Sequence, residues 1–281
     1  MSTSTDASDG HGHPEARTRL SVAQRLMPIT LRCMSDPAAL MLQRLLPAAR
    51  GLALLAVALA AGQHASAALL AAGGFDAPLL AWVWAASHLL CALLSVPLGA
   101  RLLSLAYPLR GLEQAPNDAA VIQAVAHRLA AAAVAAAAWG GADAGSLGVA
   151  AVFWALGITA VALIAAGHRL VTRYRDHEEI AAGNAAAALA SAGLHLAISI
   201  VVSRAILGQF TSWSESLTGF AIALVWVLGL WPLRQLVLAR AILGLAPKAM
   251  DSAVAAERHL GIAAAEALCY VVAALGLTAW A

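Results

Sequence analysis

The chain has 281 residues, of which 62% are hydrophobic and 11% are charged, and its formal net charge is +2. Soluble domains carry about 25% charged residues, so this composition excludes an ordinary soluble enzyme and predicts an all-α, multi-span membrane protein. The basic residues are spread over the gaps between apolar runs and form no concentrated basic segment. We therefore expect no nucleic-acid partner.

Two segments are predicted to precede the membrane-spanning part of the chain. Residues 1–20 are small, polar and charged, with almost nothing to bury, so we expect a disordered tail. Residues 21–50 contain the helix-start signal Ser-Asp-Pro, ending at Pro37, and then an amphipathic stretch that Pro47 is expected to end. This pattern predicts a cytoplasmic segment on the membrane surface, followed by a transmembrane domain over residues 51–281.

Seven apolar runs follow, each long enough to cross the hydrocarbon core as a helix, which takes about 20 residues. Turn signals or charged loops separate most of them. Pro97 and Pro232 fall inside or at the end of two runs and are expected to kink or terminate their helices. The predicted spans lie near residues 51–73, 77–100, 120–141, 146–168, 181–208, 216–233 and 259–280.

The placement of the basic residues predicts the orientation. Fifteen of the seventeen Lys and Arg residues fall on one side of the predicted membrane, in the N-terminal segment and in alternate loops, and Arg234 is assigned to the last of these loops. The two exceptions are Arg128 and Arg204. Because cytoplasmic loops carry an excess of Lys and Arg, we expect a cytoplasmic N-terminus and a non-cytoplasmic C-terminus.

An apolar helix, a basic loop, an acidic residue and an Ala-rich helix recur in this order, which predicts an internal two-helix repeat. The units cover residues 154–208 and 220–280, with a weaker third over residues 80–141. Alignment of Asn184 with His259 places the next polar residues at +7 and +11 in both units, on one helix face. The predicted binding residues on these two polar stripes are Asn184, Ser191 and His195 in the first unit, and His259, Glu266 and Tyr270 in the second.

Two sequence segments carry a resemblance to a known family. One is EEIAAGNAAAALASAGLHLAISIVVSRAI, and the other is AAERHLGIAAAEALCYVVAALGLTAW, which has His259 where an Asn would be expected. Together they resemble the YjfL-like bacterial inner-membrane proteins, the domain-of-unknown-function 350 family, over residues 150–281 and more weakly over residues 80–141. The resemblance implies a polytopic protein of the bacterial inner membrane, and it supplies no mechanism.

Glu266 is the most informative single residue, because it lies about seven residues into the last span, where an unpaired charge costs at least a few kcal/mol. One interpretation is a proton- or cation-binding carboxylate that faces the interior of the bundle. The other is a structural group that is protonated, or paired with a neighbour such as Arg128 or His195, and that joins helices. Both interpretations place Glu266 away from lipid.

The other stripe residues have simpler interpretations. Asn184 and Ser191 are expected to fix helix–helix contacts, because their small Ala and Gly neighbours allow two backbones to approach closely. His259 lies at the membrane boundary and is expected to be an interfacial polar residue.

Three histidines, His64, His88 and His195, lie near the middle of their predicted spans. Paired histidines on facing helices can ligate a b-type haem, so a haem-bearing redox protein is one alternative, which the family resemblance does not favour. The three cysteines form no CxxC pair. We expect no cofactor and no bound metal.

The Walker A, GxGxxG, HExxH and GxSxG motifs are absent from the sequence, and we predict no catalytic residue. The leading interpretation is a small-solute or ion permease or channel, whose ligand the sequence does not name. The alternatives are a non-catalytic membrane scaffold or envelope-stress component, and the haem protein. The expected partners are the lipid bilayer and, in a homo-oligomer, further copies of the chain.

Overall fold

Every secondary-structure element that the computed structural model describes is a helix, as the composition predicts. The predicted tail, residues 1–20, lies outside the described residues, as does most of the predicted interfacial segment. Residues Leu42–Ala281 form one compact unit. The described residues are 37–106, 117–141, 147–170, 172, 174–207 and 210–280.

Within the described part of the chain, seven helices are long and apolar enough to cross a membrane, which confirms the predicted number of spans. Six of these spans are single helices. The remaining one, Trp213–Ile242, is built from consecutive helical segments, and we call it the composite span. The helices are α1 (Pro37–Ala71), α2 (Leu79–Ala106), α3 (Asp118–Gly140), α4 (Leu147–His168), α5 (Asp176–Ala181), α6 (Ala185–Ile206), α7 (Trp213–Val227), α8 (Leu230–Pro232), a π-helix (Leu233–Ile242), α9 (Pro247–Ala255) and α10 (Leu260–Trp280).

Pro47 lies inside α1, which begins at Pro37 and ends at Ala71. The expected helix end at Pro47 is therefore wrong. A proline inside a helix removes one backbone hydrogen bond and crowds the carbonyl four residues earlier. Here the helix continues past Pro47, because the long apolar stretch that follows favours a membrane-spanning helix. Pro97 likewise lies inside α2 and does not terminate it.

The helix α6 lies at the centre of the bundle. Over an 18-residue apolar stretch of α6, 78% of the residues are buried, compared with 56% over the corresponding stretch of α3 and smaller shares for the other five spans. Small residues allow neighbouring helices to come close: a Cβ added at Gly193 would lie only 2.3 Å from the Ala267 Cα of α10. Membrane helices commonly associate through such close backbone packing. Around α6 lie α3, α4, α7 and α10.

The composite span is attached to the bundle near its two ends. Near its start, Phe220 of α7 packs against Phe153 of α4, with ring centroids 6.3 Å apart. Near its end, the π-helix packs against α9 and α10. Between these attachments, a cleft of about 860 Å³ opens among α6, α7 and α10, and its walls include Arg204, Thr278 and Leu233.

Large apolar side chains cover the outer surfaces of α1 and α2. Leu52 is 64% exposed and Leu79 is 78% exposed, and other leucines on these helices are similarly exposed. A soluble monomer rarely exposes so much contiguous apolar surface, whereas lipid tails are a favourable environment for it. The surface is therefore that of a protein associated with a lipid bilayer.

Candidate functional site

A buried ionic cluster joins the π-helix, α9 and α10. The Arg234 side chain, in the π-helix, is completely buried. Its Nε donates a hydrogen bond to Oε1 of Glu266 at 2.5 Å, and its Nη2 donates to Oδ1 of Asp251 at 2.6 Å. We call Arg234, Asp251 and Glu266 the buried triad. Two charge-assisted hydrogen bonds to different helices fix the orientation of the guanidinium group.

The π-helix places Arg234 inside the bundle. The composite span changes geometry after α7, with a turn at Gly229, the ring of Pro232 and then ten π-helical residues. Long π-helical stretches are rare, and π geometry occurs frequently at functional sites. The expectation that the span ends near residue 233, with Arg234 in a cytoplasmic loop, is wrong. Apolar residues continue as far as Ile242, and they carry the arginine inward.

The buried triad has an excess of one negative charge when both of its carboxylates are ionised. An uncompensated charge in a low-dielectric interior costs several kcal/mol. In addition, Nη1 of Arg234 has no hydrogen-bond partner within the described residues. One proton or one monovalent cation, taken up at the carboxylates, would make the triad neutral.

Side chains with hydroxyl and imidazole groups lie beside the triad. Tyr270, one turn after Glu266, is buried, and its hydroxyl oxygen lies 3.2 Å from Nε2 of His168 at the end of α4. Burial raises the pKa of the Tyr174 phenol well above its usual range, and the negative charges of Glu266 and Asp176 raise it further. Tyr174 therefore keeps its proton near the triad at physiological pH.

A second polar cluster connects α3 with α6. The side-chain amide of Gln123 lies between two imidazoles: its Nε2 donates to Nε2 of His127 at 2.8 Å and lies 3.4 Å from Nδ1 of His195. The two imidazole rings are 4.9 Å apart, measured between centroids. The same His195 nitrogen lies 2.8 Å from the Ser191 carbonyl oxygen, so it carries a proton and donates to that oxygen. We call Gln123, His127 and His195 the imidazole cluster.

Asn184 caps α6 and ties it to α9. Its Oδ1 accepts hydrogen bonds from the backbone N–H groups of Ala186 and Ala187 at the start of the helix. Its Nδ2 donates to the carbonyl oxygens of Val254 and Ala255 at the end of α9, at 3.1 and 3.0 Å. The buried Asn184 amide thus satisfies backbone N–H groups at the start of α6 and backbone carbonyl groups at the end of α9.

Replacement of Asn184 by alanine is expected to lower the free energy of unfolding by about 2–3 kcal/mol, because it removes a cap and leaves two carbonyls without their donor. Asn184→Ser, which keeps a capping oxygen, should recover about 1 kcal/mol of this loss. The measurement is thermal or denaturant unfolding in detergent. The matched control is Asn117→Ala at the start of α3, where the amide makes longer 3.3 Å bonds to Ile180 and Ala181. An equal loss in the two alanine variants would contradict the special role of Asn184.

The two predicted polar stripes do not meet each other. Glu266 faces Arg234, and His195 faces Gln123, whereas α6 and α10 approach each other closely where Gly193 lies against Ala267. The expected pairing of Glu266 with Arg128 or His195 is wrong, since its ion-pair partner is Arg234. Of the six stripe residues, five are buried, namely Asn184, Ser191, His195, Glu266 and Tyr270, and one, His259, is exposed.

His259 stands at the start of α10. Its Nδ1 accepts a hydrogen bond from the Ile262 N–H at 3.3 Å, so it caps its helix much as Asn184 caps α6. Before it, Arg258 adopts φ 54°, a left-handed conformation at the reversal between α9 and α10. The alignment of Asn184 with His259 therefore matches two helix starts. The internal repeat itself, and the assignment of the stripe residues as binding residues, stay predictions.

Sequence reasoning missed Arg234, Asp251, Gln123 and His127 as members of these clusters. For Arg234 a signal existed, since apolar residues lie on both sides of it from Phe220 to Ile242. For Asp251, no local signal indicates the partner, because Arg234 lies on another helix. Gln123 and His127 are four residues apart, which places them side by side on α3, and only their contact with His195 depends on a helix distant in the chain.

The three histidines considered for haem do not form a haem site. His64 and His88 are direct neighbours, with ring centroids 5.0 Å apart, and Trp84 stacks on His88 at 5.1 Å. Nε2 of His88 is already engaged with the Trp139 carbonyl oxygen at 2.7 Å. A bis-histidine haem needs its macrocycle between the two imidazoles, and here the rings contact each other. His195 belongs to the imidazole cluster instead.

Comparison with known protein families identifies a family for part of the chain. No curated protein matches the sequence, and no solved structure matches it. One family model does match, over a region that holds α4 to α10 and with them the complete buried triad. The helices α1 to α3 precede this region. Residues 142–280 match the model of the Domain of Unknown Function (DUF350), and over these residues the chain belongs to that family.

Proposed function

We propose that this protein is a small-solute or ion permease of the bacterial inner membrane, and that the buried triad is the place where it takes up and releases positive charge. The proposal depends on one observation above all. Arg234, completely buried, is held between two carboxylates, one more than its charge can balance. A proton or a monovalent cation is the simplest species that supplies the missing charge.

The geometry of the composite span supports this role. Transporters often bind their substrates and coupling ions where a transmembrane helix is interrupted. Here the interruption at Gly229 and Pro232 comes directly before Arg234. The cleft among α6, α7 and α10 extends to Leu233, the residue next to Arg234. The cleft therefore reaches the residue that precedes Arg234, and Arg234 contacts the short helix α9 through Asp251.

The groups beside the triad support a proton more than a larger solute. Tyr270 and His168 are within hydrogen-bond distance of each other, and His168 is within electrostatic range of both Arg234 and His195. His195 in turn begins the imidazole cluster. Chains of ionisable and hydroxyl side chains inside membrane proteins commonly serve as proton relays. Under this proposal, the clusters carry protons between the triad and α3.

The orientation is part of the proposal. The loops rich in Lys and Arg are placed on the cytoplasmic side, with the N-terminus cytoplasmic and the C-terminus non-cytoplasmic. This places α5 and α9, and the cap residue Asn184, near the cytoplasmic surface. A homo-oligomer is the proposed assembly, because exposed apolar faces can bury against further copies as well as against lipid.

The test is a flux assay in proteoliposomes, with protons, Na⁺ and K⁺ as the ions. We expect flux above that of empty liposomes for at least one of them, and a loss of about tenfold or more in Glu266→Gln, because each 1.4 kcal/mol of lost interaction is worth a factor of ten. Glu215→Gln, at an exposed carboxylate at the start of α7, should leave flux unchanged. Wild-type flux equal to that of empty liposomes for all three ions would sink the proposal, as would equal flux in Glu266→Gln.

The scaffold alternative is favoured by Asn184. The hydrogen bonds of its amide cap the start of α6 or join α6 to α5 and α9, as packing alone would require. In a scaffold, the triad too would only join the π-helix to α9 and α10. A scaffold predicts that triad variants change the stability or the oligomeric state and nothing else.

A further inference from the structure

A basic cavity lies between the first three helices, away from the triad. Its volume is about 350 Å³, and three arginines contribute to its wall: Arg50 from α1, Arg101 from α2 and Arg128 from α3. The three are brought together from helices that follow one another in the chain. None of them belongs to residues 142–280, the region matched by the family.

Among the residues that the structure describes, no carboxylate forms an ion pair with the arginines of this cavity. The Arg–carboxylate ion pairs in that part of the chain involve Arg175 or Arg234 instead. Arg50 and Arg128 are close enough to interact electrostatically. Like charges near a low-dielectric wall repel each other, so the arrangement is stabilised when an anion enters.

The chemistry of the cavity favours a phosphoryl group. Guanidinium groups bind phosphate oxygens in pairs of parallel hydrogen bonds. Arg50 and Arg101 are exposed and free to turn inward, whereas Arg128 is half-buried and its Nη1 donates to the Ala124 carbonyl at 3.2 Å. The Ser104 hydroxyl in the wall already donates to the Ala100 carbonyl oxygen at 2.8 Å, so the arginines supply the donors for the ligand.

The apolar part of the wall indicates where the phosphoryl group comes from. Leu54, Val96 and Pro97 line the cavity beside the arginines. A free phosphate gains no favourable contact from such an apolar surface. A phospholipid, in contrast, places its phosphate on the arginines and its glycerol and acyl chain along the apolar side. Basic pockets between transmembrane helices bind anionic lipid head groups in this way.

We propose that Arg50, Arg101 and Arg128 form a binding site for the phosphoryl group of an anionic phospholipid. This inference is independent of the proposed permease function, since it uses no residue of the triad or of the imidazole cluster. It assigns a ligand class to the part of the chain that lies outside the matched family region.

The test is lipid binding to the full chain, purified in a neutral detergent. Phosphatidylglycerol is titrated in, and bound lipid is counted by native mass spectrometry while the unfolding temperature is recorded. We expect wild-type protein to bind phosphatidylglycerol in preference to phosphatidylcholine. The triple variant Arg50→Gln/Arg101→Gln/Arg128→Gln should bind it about a hundredfold more weakly, if each arginine contributes about fivefold.

Two further arms make the outcome decisive. Arg240→Gln, at an exposed arginine of the π-helix outside the cavity, should bind as the wild type does. Because Arg128 is half-buried, the double variant Arg50→Gln/Arg101→Gln tests the site at exposed positions only, and it should bind about twenty-fivefold more weakly by the same reckoning. Inorganic phosphate that raises the unfolding temperature as much as the lipid would assign the site to free phosphate. Full lipid binding by the triple variant, or an equal loss in Arg240→Gln, would overturn the proposal.

Discussion

Replacement of Arg234 by glutamine is expected to destabilise the protein by about 3–5 kcal/mol, the usual result when one partner of a buried ion pair is removed. The substitution leaves Asp251 and Glu266 facing each other without the positive charge between them. Glu266→Gln should cost less, because Asp251 still pairs with the arginine. Asp251→Asn should cost least, because it too leaves one arginine paired with one carboxylate, and the side chain that it changes is 7% exposed, compared with 2% for Glu266.

Unfolding in detergent, followed by circular dichroism, measures this order. The control is Arg175→Gln, which breaks an exposed ion pair with Glu178 at 2.8 Å and should not change stability measurably. That pair raises the pKa of Arg175 and lowers the pKa of Glu178 through their hydrogen bond, yet both groups remain in solvent. If Arg234→Gln were no more destabilising than Arg175→Gln, Arg234 could not be the buried centre of an ionic cluster.

The second large effect is expected at Gly193, where replacement by valine should destabilise the protein by about 3 kcal/mol or separate α6 from α10. The first atom of the new side chain would lie 2.3 Å from the Cα of Ala267. A backbone atom cannot move aside as a flexible side chain can, so the two helices must separate. Overpacking of this kind costs about 1–3 kcal/mol in ordinary cores and more where backbone must shift.

Gly62→Ala in α1 is the matched control, because a Cβ at Gly62 meets nothing within 4 Å. It should be neutral or slightly stabilising, since alanine is a better helix former than glycine. A wild-type unfolding temperature for Gly193→Val would mean that α6 and α10 are not in close contact. The measurement therefore tests the helix pair at the centre of the fold independently of any charged residue.

The sequence predicts the number of spans correctly, because each span needs about 20 apolar residues and loops interrupt the pattern. It predicts the end of the composite span wrongly. A basic residue after a long apolar run is usually the cytoplasmic flank of a helix, and Arg234 fits that pattern. The position of Arg234 is decided by the two carboxylates that it contacts, Asp251 on α9 and Glu266 on α10. The sequence around Arg234 does not indicate that these residues are its partners.

The polar stripes illustrate the same limit. A spacing of +7 and +11 predicts that side chains share one helix face, and five of the six residues are indeed buried. The spacing does not say which helix that face meets. Glu266 turns toward the π-helix and His195 toward α3, so their partners, Arg234 and Gln123, became visible only in three dimensions.

Asn117 gives a third example. Its amide caps α3 through the Ala120 N–H and donates to the end of α5, as Asn184 caps α6 and donates to the end of α9. The sequence contains both asparagines before Ala-rich helices. The alignment of repeats nevertheless paired Asn184 with His259 and did not include Asn117, because helix caps are easier to recognise once the start of the helix is known.

The central claim is that the charges of the triad are used in transport and are not only buried. Ion flux through the charge-free variant Arg234→Met/Asp251→Leu/Glu266→Leu tests it most directly, because replacing a buried ionic cluster by hydrophobic residues of similar size is often neutral or stabilising by about 1–4 kcal/mol. We predict a folded protein, with an unfolding temperature near that of the wild type, and flux no higher than in empty liposomes. A folded charge-free variant that carries ions as fast as the wild type would contradict the claim.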